Sequence, residues 1–271
     1  MGNKTLYVTD LDGTLLTPDE QLTAFTMGAL NDLVDGGLYF AYATARSFVT
    51  ASKVTAGLNA RLPAIVYNGA LIVDSATHKL LLSNYFAADE VAVIREALTQ
   101  ADVYPIVYAY IAGVEKFSSY RPSAGVRGFL DTRKGDIRAN PVDSIDALYS
   151  GDIFYFACID TDAQLEPLYH ALKDRYSCIY HRDVYTHERW LEIMPRGVSK
   201  ANAILQLKDY LQCDSIIAFG DGMNDVAMFQ IADECYAVEN ALDALKKIAT
   251  GVIGSNTDDG VARWLLEHAR R

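Results

Sequence analysis

Two aspartates near the start of the chain have the spacing of a reactive pair. Asp10 and Asp12 follow a short apolar run at residues 6–9, and Gly13 comes directly after them. A carboxylate at a strand end can attack phosphorus and form an aspartyl phosphate, while a second carboxyl protonates the leaving oxygen and later activates water. Acidic turns of this kind also cap helices, so these residues alone leave a structural role open.

A second acidic cluster lies near the other end of the chain, in the segment GDGMND at residues 220–225. Asp221 and Asp225 offer the oxygen ligands that Mg²⁺ takes from proteins, and the glycines let the backbone come close to an ion. A helix-capping turn is the alternative interpretation, because the helix dipole stabilises an aspartate near a helix N-terminus.

Groups that can hold a phosphate occur at two further places. Thr44 closes a predicted strand and Arg46 follows it, which brings a hydroxyl, a backbone N–H and a cation together. Lys200 opens a predicted helix and can offset the charge of the carboxylates, although a single lysine at a helix start is more often solvated.

The charge of these groups predicts a need for metal. Four aspartates would repel an approaching phosphate dianion by several kcal/mol at an effective dielectric constant of about 20. Mg²⁺ and Lys200 would cancel most of that charge, and Arg46 with protonation of Asp12 would remove the rest. The site is therefore expected to require Mg²⁺ to bind its substrate.

The elements that must position these residues alternate between strand and helix at both ends of the chain. Continuous apolar runs predict parallel strands that are covered on both faces. Strands are predicted at residues 6–9, 38–43, 64–67, 215–219 and 235–238, and helices at residues 22–33, 48–58, 199–211, 225–231, 241–249 and 261–268. Ligands of such a sheet bind beyond the carboxyl ends of the strands, which is where we expect to find Asp10, Thr44, Asn68 and Asp221.

The middle of the chain has a different pattern. A hairpin is predicted from residues 71–73 and 79–82, followed by helices at 89–100 and 162–175 and strands at 104–110, 152–159, 177–180 and 190–193. The mixture predicts an α+β domain inserted into an α/β fold. The core is expected to be a Rossmann-like parallel sheet built from residues 1–83 and 195–271, and the insertion to span residues 84–194. Two connections between the domains would permit a hinge.

The composition limits the partners and the location. The 271 residues are 51% hydrophobic and carry a formal net charge of -11. Nucleic acid and anionic membranes are poor partners for so acidic a surface, and a small phosphorylated metabolite is expected instead. A strand-like run opens the chain and the apolar runs are too short to span a bilayer, so a cytoplasmic location is expected. Without a Cys-x-x-Cys pair, the cysteines are expected to be buried reduced thiols. They are Cys158, Cys178, Cys213 and Cys235.

Taken in order, the motifs resemble a known family. DLDGTL at residues 10–15, Thr44, Lys200 and GDGMND at residues 220–225 occur in the order found in the haloacid dehalogenase (HAD) superfamily of phosphatases. The chain resembles in particular the Cof-type subfamily IIB, in which a large cap domain is inserted after the third strand of the core. The resemblance is specific in the core and general in the inserted domain.

The resemblance implies a Mg²⁺-dependent phosphomonoester hydrolase for small phosphorylated metabolites, with sugar phosphates as the expected class. Asp10 would be the nucleophile and a metal ligand. Asp12 would be the general acid and base, with its backbone carbonyl on the metal. Asp221 would be the third protein ligand, and Asp225 would act on the metal from outside its ligand shell or through water.

The same resemblance assigns the transferring phosphoryl group to Thr44 and Lys200, with Asn224 holding the phosphate or Lys200. Candidate substrate contacts are Arg46, Asn68 and Asn240. Ala45 stands where the family usually has glycine. Its backbone N–H can still contact phosphate, but a positive φ at this alanine would cost roughly 1 kcal/mol.

Two other functions remain open on the sequence. A phosphotransferase or phosphomutase would use the same chemistry with a second phosphate position in the cap, for which four arginines are available: Arg121, Arg127, Arg133 and Arg138. A binding or regulatory protein could keep the fold without catalysis. Substrate selection is expected in the cap, on loops that carry Glu115, Lys116, Tyr120 and Arg121.

Overall fold

A computed structural model describes residues 4–59, 63–182 and 188–269. The chain forms two compact units, which we call the core unit (Met1–Ser83 with Ser199–Arg271) and the inserted unit (Asn84–Val198). The core unit is built on a parallel sheet and the inserted unit on a mixed sheet, which confirms the predicted fold class. A role of the inserted unit in substrate selection stays a prediction.

The elements have the following bounds. The strands are β1 (Thr5–Thr9), β2 (Tyr39–Tyr42), β3 (Ala64–Val66), β4 (Leu71–Val73), β5 (Leu80–Ser83), β6 (Ile106–Ile111), β7 (Val114–Ser119), β8 (Ala139–Pro141), β9 (Asp152–Asp160), β10 (Ser177–Arg182), β11 (Arg189–Met194), β12 (Ser215–Gly220), β13 (Glu234–Val238) and β14 (Gly251–Ile253). The α-helices are α1 (Ala24–Asp35), α2 (Phe48–Val54), α3 (Ala88–Gln100), α4 (Ala124–Asp131), α5 (Ile145–Leu148), α6 (Asp162–Leu172), α7 (Lys200–Leu211), α8 (Val226–Ile231), α9 (Asp243–Lys246) and α10 (Gly260–His268).

The main sheet of the core unit has the strand order β14-β13-β12-β1-β2 and is parallel throughout. Strand β1 lies between β12 and β2 and is buried along four of its five residues, and these two neighbours are buried over most of their length. Burial of consecutive residues requires cover on both faces, as the continuous apolar runs predict. The chain moves from β1 to β2 on one side and later returns to β12 on the other.

The predicted third strand takes part in the main sheet at one point only. Ala43 and Ile65 form a single parallel bridge, which places β3 beside the end of β2. The turn Tyr67–Gly69 then reverses the chain, with Gly69 at a φ of +97°. As a result β3 pairs antiparallel with β4, and β4 with β5, so the predicted hairpin is confirmed within a separate three-stranded sheet.

Helix starts follow the sequence more closely than helix ends do. Ser47 caps α2 as predicted, because its hydroxyl accepts the backbone N–H of Thr50 at 3.1 Å. The helix ends at Val54 and not at residue 58. Likewise α9 ends at Lys246 and not at residue 249. The N–H of Leu242, just before this helix, donates to the carbonyl of Asp221 at 2.9 Å and connects the helix to the acidic loop.

The inserted unit has a six-stranded sheet of order β10-β11-β9-β6-β7-β8, in which only the β7–β8 pair is parallel. Side chains of β9 and β11 pack with those of α3 and α6 in one buried cluster that includes Phe156, Leu191, Ile94, Leu98 and Leu168. The predicted helices and strands of this region are present. The sequence did not indicate β7, β8, α4 or α5, because these short segments lack a continuous apolar run.

Two residues that were expected on cap loops lie in a strand. Glu115 and Lys116 belong to β7, whose first half is partly exposed and polar and so carries no alternating apolar pattern. Lys116 donates from Nζ to the carbonyl of Ile137 at 2.8 Å. The loop placement of Glu115 and Lys116 is therefore corrected.

Arg138 is buried between carboxylates and holds the edge of this sheet. It donates to Glu115 Oε1 at 2.7 Å and to Asp136 Oδ2 at 2.7 Å, and only 6% of the residue is exposed. A buried guanidinium with two carboxylate partners is satisfied in place. Arg138 is thus engaged within the unit, which corrects its inclusion among the arginines available to a second phosphate.

We expect Arg138→Ala to destabilise the inserted unit by about 3 kcal/mol, because two carboxylates whose side chains are only 13% and 15% exposed lose their cation. Hydrogen exchange at increasing urea concentrations, followed on peptides from β7 and β9, measures the loss in that unit. The control is Arg127→Ala, an exposed residue that donates to the carbonyl of Pro122, for which a change within about 0.5 kcal/mol is expected. Equal protection in the two variants would contradict the structural role of Arg138.

The structure also shows the state of the cysteines and whether any helix could span a membrane. All four cysteines are free thiols; Cys158, Cys213 and Cys235 are buried and Cys178 is half-buried. Among the residues that the structure describes, no helix is both long enough and apolar enough to cross a membrane.

Candidate active site

The acidic residues meet because of the strand register. Thr9, the last residue of β1, pairs with Phe219 on one side and with Tyr42 on the other. Asp10 therefore leaves the sheet level with Asp221 and Thr44, each just beyond the carboxyl end of its strand. The backbone N–H of Asp10 still donates to the carbonyl of Phe219 at 3.0 Å, which fixes where its side chain begins.

Lys200 lies at the centre of this group and is 3% exposed. Its Nζ contacts Asp10 Oδ1 at 2.8 Å and Asp225 Oδ1 at 2.9 Å. Lysine is rarely buried without charged partners, and here two carboxylates supply them. The structure thus excludes the solvated-lysine alternative and joins three segments that are distant in sequence.

The position of Lys200 is set by a turn that packs on the start of α7. Ser199 caps this helix by accepting the N–H of Asn202 at 3.1 Å, and Lys200 is the first helical residue. A Cβ atom on Gly69 would lie 2.3 Å from the carbonyl oxygen of Ser199. Only glycine allows this approach, so the turn that ends β3 also places the lysine.

Both carboxylate oxygens of Asp225 are already used within the core unit. Oδ1 accepts from Lys200, while Oδ2 accepts the backbone N–H groups of Asp221 and Gly222 at 3.0 Å each. The residue is completely buried. Asp225 therefore shapes the acidic loop and orients Lys200, which favours the alternative in which it acts from outside the ligand shell of a metal.

Asp221 is held from the side of the first acidic turn. Thr14 Oγ1 donates to Asp221 Oδ1 at 2.9 Å. Gly13 approaches the same carboxylate, since a Cβ atom on it would lie 2.3 Å from Asp221 Oδ2, and its φ of +75° suits glycine. Thr14 was not among the predicted site residues, although it is part of the DLDGTL motif that pointed to this loop.

Two buried carboxyls, Asp10 and Asp225, and the half-buried Asp221 share one ammonium, and the pKa values of Asp10 and Asp221 reflect this imbalance. Burial raises the pKa of Asp10 to about 8, with Lys200 opposing the rise and Asp225 adding to it. Burial and the charge of Asp225 raise the pKa of Asp221 to about 6. Burial alone would lower the pKa of Lys200, but Asp10 and Asp225 outweigh it and raise that pKa, so the lysine stays charged. A cation or bound protons must compensate the remaining negative charge.

The donor set fits Mg²⁺. Single oxygen atoms of Asp10, Asp221 and Asp225 lie within 4.8 Å of one another. Mg²⁺ binds to hard oxygen ligands and usually takes one or two carboxylates from a protein, and this cluster offers carboxylates with negative charge that Lys200 does not cancel. Asp10 and Asp221 are the residues that would hold the ion, because the oxygens of Asp225 have other partners.

Asp12 points to a different partner from Asp10. Its two oxygens accept from Arg46, from Nε at 2.8 Å and from Nη2 at 2.5 Å. The side chain of Asp12 is 48% exposed and that of Arg46 18%. The predicted acid–base residue is therefore at the rim of the cluster and bound to the predicted substrate contact, an arrangement that the sequence did not indicate.

The segment that follows β2 keeps its expected shape. Thr44 is fully buried, and its hydroxyl accepts the backbone N–H of Arg46 at 3.1 Å. Ala45 is exposed and does not occur among the described non-glycine residues with positive φ. Alanine in place of the usual glycine thus carries no left-handed strain, and its N–H stays a candidate phosphate donor.

The three asparagines differ in their surroundings. Asn68 is buried in the turn after β3, with a φ of 52°, and its N–H donates to the carbonyl of Thr44 at 3.0 Å. Asn224 is exposed on the acidic loop. Asn240 donates from Nδ2 to the carbonyl of Gly13 at 2.7 Å, so it holds the first acidic turn. Substrate contact by these residues stays a prediction.

Asn256 is a supporting residue that the sequence analysis missed. Its backbone N–H donates to Asn240 Oδ1 at 3.0 Å, and its Nδ2 donates to the carbonyl of Leu16 at 2.8 Å. Asn240 and Asn256 together clamp the turn between Gly13 and Leu16. No local motif marks Asn256, because one partner, Leu16, lies 240 residues away in sequence and the other, Asn240, lies 16 residues away.

Comparison with known proteins decides the family. The family model for haloacid dehalogenase-like hydrolases matches residues 7–265. The chain belongs to this family. It is 27% identical to the 5-amino-6-(5-phospho-D-ribitylamino)uracil phosphatase YitU of Bacillus subtilis over 97% of each chain. This haloacid dehalogenase-like hydrolase is therefore an enzyme, and its curated relatives include phosphatases.

Solved structures support the fold of this haloacid dehalogenase-like hydrolase. TM0651 from Thermotoga maritima matches with a TM-score of 0.80 at 23% identity, over 100% of this chain and 99% of the other. The sugar phosphatase BT4131 of HAD subclass IIB matches with a TM-score of 0.74 at 18% identity, over 97% and 98% of the two chains. The expected membership of the haloacid dehalogenase superfamily is confirmed, and the fold is shared with this subclass IIB sugar phosphatase.

The close approach at Gly13 predicts the effect of adding one methyl group. We expect Gly13→Ala to weaken Mg²⁺ binding by about 10-fold or more, since the Cβ atom would displace Asp221 and the positive φ would be strained. Isothermal titration calorimetry measures the affinity. Gly28→Ala in α1, where nothing lies within 4 Å of the new methyl group, is the control and should bind Mg²⁺ as the unchanged protein does. Equal affinities in all three proteins would contradict the prediction.

The raised pKa values predict that Mg²⁺ and protons compete. Below about pH 6 both Asp10 and Asp221 hold protons, whereas a bound cation needs them ionised, so affinity should increase as the pH rises from 6 to 8. The increase should be up to about tenfold per pH unit for each proton released. Calorimetry in buffers of different ionisation enthalpy counts these protons. A pH-independent affinity without proton release would show that the carboxyls are already ionised.

Proposed function

We propose that this protein is a Mg²⁺-dependent phosphomonoester hydrolase that acts on small phosphorylated metabolites through an aspartyl phosphate on Asp10. The observation that carries the proposal is the buried Asp10 carboxylate, held by Lys200 at 2.8 Å and placed beside Asp221 just beyond the end of β1. A carboxylate kept away from water and oriented by a cation is suited to attack at phosphorus.

In the first step one bond to phosphorus forms and one bond to phosphorus breaks. An oxygen of Asp10 attacks the phosphorus of the substrate, and the bond from phosphorus to the alcohol oxygen breaks. Lys200 and the hydroxyl of Thr44 hold the phosphoryl oxygens while negative charge develops on them. Asp12 gives a proton to the departing alcohol. Mg²⁺, when bound by Asp10 and Asp221, supplies positive charge that lets a phosphate dianion enter the acidic site.

The second step restores the enzyme. Asp12 takes a proton from water, the water oxygen attacks phosphorus, and the bond from phosphorus to Asp10 breaks to give inorganic phosphate. Asp10 ends as a carboxylate and Asp12 in its acid form, ready for another substrate. In both steps Asp12 must direct an oxygen at the reacting group and away from Arg46, so the proposed cycle requires this ion pair to loosen.

The substrate class rests on the leaving group that the site can assist and on one relative. A primary alcohol needs protonic help to depart from phosphorus, which Asp12 supplies. The Bacillus subtilis relative is named for a substrate with a phosphorylated ribityl group. Phosphorylated sugars and sugar alcohols are therefore the substrates that we propose.

Asp10→Asn tests the proposal. The amide preserves the shape of the site but cannot attack phosphorus, so Mg²⁺-dependent phosphate release should fall to the rate without enzyme. Release is measured with p-nitrophenyl phosphate and a panel of sugar and sugar-alcohol phosphates, and the acid-quenched protein is examined for labelled phosphate on Asp10. Asp19→Asn, an exposed acid of the same segment, is the control and should keep full activity.

Two results would contradict the proposal. Phosphate release by Asp10→Asn near the normal rate would exclude the covalent step. Transfer of the labelled phosphate to an added sugar, without release of inorganic phosphate, would indicate a phosphotransferase in place of a hydrolase.

A further inference from the structure

Arg46 has a second carboxylate partner besides Asp12. Its Nη2 atom lies 2.9 Å from Glu20 Oε2, and the same nitrogen contacts Asp12 Oδ1. The Glu20 side chain is 51% exposed. One guanidinium is therefore shared between the predicted acid–base residue and a glutamate that the proposed reaction does not use.

The backbone on both sides of this contact is held in place. The N–H of Arg46 donates to the hydroxyl of Thr44 at 3.1 Å, and its carbonyl accepts the N–H of Tyr67 at 3.0 Å. Across the contact, the N–H of Glu20 donates to the carbonyl of Thr17 at 2.9 Å. The N–H of Thr17 in turn donates to the carbonyl of Gln21 at 2.9 Å, which closes the turn that contains Glu20. Neither side chain extends from a loose segment.

Glu20 also has an unusual conformation. Its φ is 57°, in the left-handed region that residues other than glycine and asparagine rarely adopt. Such outliers are often maintained where the side chain has a task, and here the conformation points a carboxylate at Arg46.

The pair between Asp12 and Arg46 has to loosen for Asp12 to act in the proposed reaction. Both oxygens of Asp12 accept N–H groups of the guanidinium, so an oxygen that turns to a leaving group gives up its hydrogen bond to Arg46. An Asp12 that protonates a leaving group must therefore leave Arg46. The guanidinium would then lose its carboxylate partner unless another stays in contact.

We propose that Glu20 is a positioning residue that retains Arg46 when Asp12 turns to the substrate; this inference rests on the proposed function. Glu20 keeps a negative charge on the guanidinium, which lowers the cost of its separation from Asp12. The negative charge of Glu20 also repels the Asp12 carboxylate, which further lowers the cost of separating Asp12 from Arg46. Without Glu20, Arg46 holds Asp12 more tightly and leaving groups receive less protonic help.

The experiment compares two leaving groups in Glu20→Gln. The kcat/KM value covers the steps up to departure of the alcohol, so it isolates the step in which Asp12 acts as an acid. For a sugar-alcohol phosphate such as glycerol 3-phosphate we expect a fall of about fivefold, the effect of about 1 kcal/mol for a partly exposed ion pair. For p-nitrophenyl phosphate, whose alcohol leaves with little protonic help, the change should stay within about twofold.

Two further variants separate charge from backbone strain and from general charge effects. Glu20→Gly removes the carboxylate and relieves the positive φ, and it should show the same selective loss as Glu20→Gln. Asp19→Asn removes a neighbouring charge that has no part in the contact, and both substrates should react as with the unchanged enzyme.

An Arg46→Gln background tests whether Glu20 acts through Arg46. In that background Glu20→Gln should have no further effect on the ratio of the two kcat/KM values, because the shared guanidinium is gone. An equal loss on both substrates, no loss, or a loss that persists in the Arg46→Gln background would overturn the inference. Absence of Mg²⁺-dependent hydrolysis in the unchanged enzyme would instead overturn the proposed function, so the two failures are distinct.

Discussion

The buried ammonium of Lys200 is the interaction on which the rest of the site depends. A lysine that is 3% exposed is stable only beside carboxylates, and it has Asp10 and Asp225 within 2.9 Å. These contacts join the first strand, the start of α7 and the loop after β12. Removal of Lys200 would leave the buried carboxylates of Asp10 and Asp225 without their cation, so the three segments are constrained together.

That constraint explains why the neighbouring backbone is so closely fitted. Gly69 approaches Ser199, Gly13 approaches Asp221, and a Cβ atom on Gly220 would lie 2.8 Å from Asp225 Oδ2. In each case a charged or polar group occupies the volume that a side chain would need. The glycines of this site therefore serve close packing around the carboxylates as much as turn geometry.

The site also separates two aspartates that look equivalent in sequence. Asp10 is buried beside Lys200, whereas Asp12 lies at the rim, paired with Arg46. Two carboxyls in such different surroundings are suited to different tasks, a nucleophile shielded from water and an acid–base group that can reach solvent. Asp12 itself is in an extended conformation, with a φ of -71° and a ψ of 124°, and Gly13 turns the chain just after it with a φ of +75°.

The sequence by itself determined the parallel α/β core, the inserted α+β unit and the meeting of Asp10, Thr44 and Asp221. The reason is that continuous apolar runs fix parallel strands, and parallel strands place their carboxyl ends together. It also located both acidic loops, which follow directly on β1 and β12, and Lys200, which opens α7. Short polar elements such as β7 could not be predicted, because they lack an apolar period.

Only the tertiary structure decided which partner each charged group has. The composition allows many pairings, and the fold selects a few of them. It pairs Arg46 with Asp12 and Glu20, Asp225 with the N–H groups of its own loop, and Arg138 with Glu115. Asn256 reaches Leu16 across about 240 residues of sequence. Such contacts depend on side-chain direction and on distances of a few ångströms between separate segments, and neither is encoded in the periodicity of any one segment.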